Sequence, residues 1–404
     1  MTSQENRTHL LTPGLTLLLA ITTGAAAANF NYAQPLLHAL AQTFHISNSN
    51  ASLIVVCSQG GYALGLLFLL PLGDLIPKKR LILISLSIDA AALLAISFSQ
   101  NATEFELLSI VVGLSSVVAQ IIIPLAADLA DPAKTGKAVG TVTSGLLIGL
   151  LLARAFSGVV ADAFGFPAVY QTAAGIMIIL AFLLANKLPE VAKKTEGTSY
   201  LAILSSTIQI FMSHRLLKFR ALYGALAFAA FSMFWTSLTF YLSTSTYHYS
   251  TTKIGLFGLF GAIGAITAIF TGIAIDKGLI RLTTIAGALF MTLSFIDMHF
   301  YGSTLVLLII GVIVVDASLQ TLNTSNQSII YTVAPQARSR INSSYMTSYF
   351  IGGSLGSATA GIAWRYGGWQ TTTTIGISLG LAIAVLWYFD RTVSFKTRKV
   401  NSEK

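Results

Sequence analysis

Charge and thiol chemistry are both scarce in this chain. Only 10% of the 404 residues are charged, and Cys57 is the single cysteine. A soluble domain carries roughly 25% charged residues, so water is not the main solvent here. One thiol excludes a disulfide framework and leaves no partner for redox exchange. The histidines, His9, His38, His45, His214, His248 and His299, fall at the ends of apolar runs or between them. None has metal-ligand spacing, and no metal site is expected. A Gly-x-x-x-x-Gly-Lys-Ser/Thr phosphate loop is missing, which excludes direct drive by ATP. No His, Cys or carboxylate cluster marks a reaction centre, and the polar segments are too short for a catalytic domain. An enzyme is therefore not expected, and no cofactor is called for.

What the chain has instead is apolar length. It is 54% hydrophobic, with mean hydropathy +0.74. Runs of about twenty residues, each enough to cross ~30 Å of hydrocarbon as a helix, recur throughout. Twelve are read, at about 14–40, 51–73, 80–99, 105–128, 137–160, 168–186, 221–243, 253–275, 282–300, 304–331, 343–363 and 370–389. They do not alternate as barrel strands do. If both termini are cytoplasmic, every Lys and Arg except Lys253, Arg365 and the intramembrane Arg154 falls in a cytoplasmic segment, as the positive-inside rule requires. The net charge of +9 then reports orientation, and no nucleic-acid partner is expected. Leu15–Ala28 also reads as a signal peptide, but one Arg precedes it and the apolar run continues to Leu40. It is assigned as uncleaved span 1.

The longest polar stretch divides the spans six and six. The expected organisation is a bundle over 1–185, a cytoplasmic linker over 186–220 and a second bundle over 221–404. Within the linker, Tyr200–Met212 reads either as a short helix on the membrane surface or as a longer lead into span 7. The halves echo each other. Asp74 and Asp276 lie 202 residues apart; Pro132 and Pro335, Gly149 and Gly352, Gly158 and Gly361, and Gly165 and Gly368 each lie 203 apart. A parallel repeat of six spans is the plan of one large group of transporters.

The loop after span 2 holds Asp74, Lys78, Lys79 and Arg80; the loop after span 8 holds Gly272, Asp276, Lys277 and Arg281. With Asn31-Tyr32-Ala33-Gln34-Pro35 and Arg338-Ser339-Arg340-Ile341-Asn342, these segments resemble the major facilitator superfamily. Within it they are most similar to bacterial members near the drug:proton antiporters and the sugar or nucleoside exporters. The second loop keeps the family form Gly-x-x-x-Asp-Lys, whereas the first has Leu70, Leu75 and Pro77 at three of its positions. The span-5 Gly-Pro signature and span-4 arginine of the drug antiporters are absent, with Ser109 at the latter position. The resemblance implies twelve transmembrane helices in two six-helix bundles, an all-α membrane protein with both termini cytoplasmic.

Asp74 and Asp276, near basic residues and helix N-termini, read as parts of a conformational latch. Stray acids in ordinary positive loops are the plainer reading. Glycine ridges at Gly145, Gly149 and Gly158, at Gly352, Gly356 and Gly361, and at Gly255, Gly258, Gly261 and Gly264 let helices approach closely. They fit static packing and a moving interface equally.

Ionisable groups inside a membrane are costly and mark function. Asp316 and Arg154 are the leading proton-coupling candidates. Asp89 is a third proton-coupling candidate, with a structural pair or a buried protonated acid as equal readings, and Asp297 reads as interfacial. Asp316 heads a polar face with Gln320, Asn323 and Gln327, at steps of four, three and four. The other candidates for a substrate cavity are Asn29, Asn31, Tyr32 and Gln34 in span 1, Gln59 and Tyr62 in span 2, Gln120 in span 4, and Phe231 and Trp235 in span 7. Pro35 and Pro124 should kink their helices.

The expected protein is a monomeric secondary transporter of the inner, cytoplasmic membrane. It would export a small neutral or amphipathic solute in exchange for protons, with the lipid bilayer as its solvent. Nutrient uptake on the same fold is the alternative, and a receptor-like protein without flux is a further one.

Overall fold

The computed structural model describes residues 11–190, 199–244, 246–333 and 337–390, without the side chain of Ala265. Both termini, the linker segment 191–198 with Lys193 and Lys194, Pro335, and the C-terminal basic residues Arg391, Lys396, Arg398, Lys399 and Lys404 lie outside it.

The described residues form helices and no strands. Span 1 is Pro13–Thr43, span 2 Asn48–Asp74, span 4 Ala102–Leu129, span 5 Pro132–Phe164 and span 6 Phe166–Lys187. Span 7 is Arg215–Ser243, span 8 Thr251–Asp276, span 9 Ile280–Tyr301 and span 10 Leu305–Ile330. Span 3, Lys78–Ile96, is also a continuous helix, with Lys78, Lys79, Arg80 and Asp89 as its charges. Arg338–Phe389 bends at Gly367 and Gly368, which separates span 11 (338–366) from span 12 (369–389). A shorter helix, Tyr200–Ser213, precedes span 7.

Local chemistry sets the ends and the breaks. Thr12 caps span 1 by accepting from the Leu15 N–H at 3.2 Å, with Pro13 as the first helical residue, where a missing N–H costs nothing. Asn101 caps span 4 in the same way, accepting from Glu104 N at 3.0 Å. Span 1 loses regular helix between Asn29 and Gln34, just before Pro35. Span 4 is interrupted at Val117, seven residues before Pro124. Span 2 passes through a π-turn at Gly65–Leu69 and a 3-10 segment carrying Pro71. The repeat is visible in the backbone too. Gly165, between spans 5 and 6, has φ +82°, and its counterpart Gly368, between spans 11 and 12, has φ +59°. Both sit in the left-handed region that only glycine enters at little cost.

Packing divides the chain into two compact units. The first comprises Met1–His45, Cys57–Ser205 and Ser250–Gly255; the second comprises Ile46–Val56, Ser206–Tyr249 and Leu256–Lys404. In lipid no hydrophobic effect drives helices together, so close backbone approach matters more. In the first unit a Cβ at Gly145 or Gly149 of span 5 would collide with the backbone of Ala20 or Gly24 in span 1. In the second, Gly352 and Gly356 of span 11 stand against Ala225 and Ala229 of span 7 in the same manner. These ridges therefore pack spans within a unit. Outward side chains such as Phe182, Ile269, Phe270 and Leu355 are exposed, as a lipid-facing surface requires.

Candidate functional site

In the first unit the polar residues of spans 1, 3 and 4 meet at Asp89, which is completely buried. Its carboxylate accepts from Asn29 Nδ2 at 2.6 Å and from Ser115 Oγ at 2.8 Å. Asn29 is the last residue of the first helical segment of span 1, and its amide reaches the span-3 acid. The structure thus joins a candidate coupling group to a candidate cavity residue. Arg154 Nε donates to Gln34 Oε1 at 2.8 Å, and both side chains are buried. Gln120 Nε2 donates to Tyr62 Oη at 3.3 Å, and Tyr62 packs on Phe30 with ring centres 4.8 Å apart. Tyr32 packs between Phe156 and Tyr170. Gln59 is buried, while Asn31 is half-buried with its amide on the Ala27 carbonyl at 3.4 Å.

In the second unit Asp316 sits in a notch of span 8. A Cβ at Gly261 would lie 2.8 Å from Asp316 Oδ1, and one at Gly264 would lie 2.7 Å from Asp316 Cβ. The two glycines leave the room that the carboxyl occupies. Further along span 10, Asn323 Oδ1 accepts from Gln327 Nε2 at 3.3 Å and from Tyr345 Oη at 2.9 Å. Gln320 is half-buried. Phe231 is half-buried against Phe228. Trp235 is buried in an aromatic group with Phe234, which also touches Phe295 and Trp369.

One constellation departs from the expectation. By its place in the sequence Arg220 is a cytoplasmic charge of the linker, but it is 1% exposed. Its Nη2 lies 2.9 Å from Asp390 Oδ2 in a buried ion pair, and its Nη1 donates to Asn326 Oδ1 at 3.4 Å. A guanidinium can only donate, and this fixes the direction of the neighbouring hydrogen bonds. Asn326 turns its oxygen to Arg220 and its nitrogen to Tyr345 Oη at 3.5 Å. Tyr345 in turn donates to Asn323. A row of hydrogen bonds thus runs from the buried pair to the polar face of span 10. The sequence signal is slight: a basic residue opening one apolar run and an acid closing another.

The loop residues take varied places. Lys78 pairs with Asp128 of span 4 at 2.6 Å, not with an acid of its own loop. Lys79 and Arg80 continue the first turn of span 3, and Asp74 closes the segment Leu70–Asp74. Gly272 has open space at its Cβ position, and Asp276 ends span 8, followed by Lys277 and by Gly278 at φ +80°. Arg281 stacks on Trp387, its guanidinium 5.0 Å from the ring centre, and its carbonyl accepts from Trp387 Nε1 at 3.0 Å. No group of three or more His, Cys, Asp or Glu suited to a metal occurs among the described residues.

Membrane-length helices in two units, repeated turn glycines and buried intramembrane charges define a multi-pass membrane transporter. The model of the Major Facilitator Superfamily matches residues 19–357, and the chain belongs to that family. It is 44% identical over 380 residues to an uncharacterized transporter, YgaY, of Escherichia coli O157:H7, covering 94% of this chain and 96% of the relative. It is 31% identical over 354 residues to a probable transporter of Streptomyces coelicolor, covering 87% and 82%. Among solved structures, an inward-facing, occupied bacterial homologue of the lysosomal transporter Spinster superposes with TM-score 0.76 at 11% identity, covering 93% of this chain and 96% of the other. The nucleoside transporter NupG does so with TM-score 0.73 at 15% identity, covering 92% and 98%. At such identities these structures speak for the fold alone.

Proposed function

We propose that this transporter is a secondary exporter of the inner membrane, moving a small organic solute outward by alternating access in exchange for protons. The observation that carries the reading is Asp316. A carboxyl deep in span 10, seated in a glycine notch and heading a polar face, has the placement of a group that takes up and releases a proton during transport. Gln320, Asn323 and Gln327 of the same face, with Asn29, Gln34, Tyr62 and Gln120, would supply hydrogen bonds to the solute. Arg154 would modulate Asp316, and the loops bearing Asp74 and Asp276 would help hold one conformational state. The protein works as a monomer in this reading.

The test is counterflow in inverted vesicles, with and without a pH gradient, over a panel of radiolabelled solutes chosen from altered sensitivity of a deletion strain. Outward pumping driven by an inward proton gradient is expected. Asp316→Asn should insert normally yet lose the dependence on the gradient. Gradient-driven pumping that survives this change would overturn the assignment of Asp316. Accumulation in the opposite direction would replace export with uptake.

A further inference from the structure

Helix Tyr200–Ser213 has 14 residues, about 21 Å at 1.5 Å per residue, too short to cross a ~30 Å hydrocarbon core. Its side chains fall into three arcs at about 100° per residue. One arc is held by protein: Ile203 and Thr207 are buried, and the Thr207 carbonyl accepts from Ser344 Oγ at 3.4 Å. A second arc is polar or small and exposed: Ala202, Ser205, Gln209 and Ser213. Between them on one side lies an apolar flank of Leu201, Leu204, Ile208 and Met212. Of these, Leu201 is 70% exposed, Ile208 50% and Met212 60%.

A helix between protein and water alone needs two faces, and three exposed large apolar residues in one line would then stand in water. Burying such side chains is favourable in proportion to the apolar area removed from water, so the third flank calls for an apolar partner beside the protein. Exposed Arg215 and Lys218 come directly after the helix. We propose that this helix lies at the junction of protein, water and bilayer, with Leu201, Leu204, Ile208 and Met212 set into the leaflet. Arg215 and Lys218 just beyond its C-terminal end then bind the anionic headgroups of that leaflet. Charge complementarity selects the partner: an apolar flank followed by two exposed cations matches a leaflet containing phosphatidylglycerol better than a zwitterionic one.

The full-length chain with Cys57→Ser, carrying either Ile208→Cys or Gln209→Cys, would be labelled with an environment-sensitive fluorophore. It would be reconstituted in vesicles of phosphatidylcholine, or of phosphatidylcholine with an equal part of phosphatidylglycerol, and quenched with brominated lipid. Position 208 should be quenched several-fold more than position 209, and the difference should grow with phosphatidylglycerol. Combined Arg215→Gln and Lys218→Gln should remove that growth. Leu201→Cys serves as the second label site should the change at 208 disturb folding. Equal quenching at the flank and at 209 would overturn the placement in the leaflet. Quenching indifferent to phosphatidylglycerol would overturn the headgroup assignment.

Discussion

In the first unit the buried acid Asp89 is met by an amide and a hydroxyl, Asn29 and Ser115. In the second, Asp390 is met by a full opposite charge, Arg220, itself buried. An acid held by neutral donors can give up its charge without stranding another ion. An acid that neutralises a buried guanidinium cannot, because the remaining charge would have neither water nor a counter-ion. The first arrangement tolerates a change of protonation. The second suits a fastening.

The largest effect expected from breaking this contrast is at the ion pair. Arg220→Ala should cost about 3–5 kcal/mol by removing the buried guanidinium that pairs with Asp390, read as thermal unfolding of the purified protein in detergent. Combined Arg220→Met and Asp390→Leu should cost less than either single change, and equal losses would mean that pairing is not what matters. Asp89→Asn should cost less, about 1.5–3 kcal/mol for hydrogen bonds to a charged acceptor, with the protein still folded and inserted. If it proves as damaging as Arg220→Ala, the distinction between the two acids fails. Tyr345→Phe removes one donor from the row leading to Asn323 and should cost about 1 kcal/mol. Lys78→Gln should have the smallest effect, below about 1 kcal/mol and fading with added salt, because the Lys78–Asp128 pair is partly exposed.

Much of this architecture is legible in the sequence because a bilayer imposes a simple code. Apolar length gives the spans, and the constant offset gives the repeat; Gly165 and Gly368 share an unusual backbone conformation as well as a spacing. Helical periodicity places Asn323 and Gln327 on one face, and they are hydrogen-bonded to each other. What spacing withholds is the identity of the neighbour. The ridge at Gly145 and Gly149 announces a close approach but not that span 1 makes it. Arg220 shows the same limit more sharply. A basic residue at the mouth of an apolar run looks like any orientation charge, and only Asp390, 170 positions away, turns it inward. Likewise, nothing local to Asp89 says that Asn29 of span 1 will reach it.

The separation of Arg220 and Asp390 also bears on how the protein is made. Arg220 stands at the start of the seventh span and Asp390 directly after the twelfth. A ribosome feeding the chain into the membrane delivers the guanidinium first and its counter-ion last. Until the final span has emerged, that arginine must be kept at the aqueous surface or sheltered by the insertion machinery, because alone in the apolar interior it would be strongly disfavoured. The ion pair of the second unit can therefore form only after the chain has been made through residue 390.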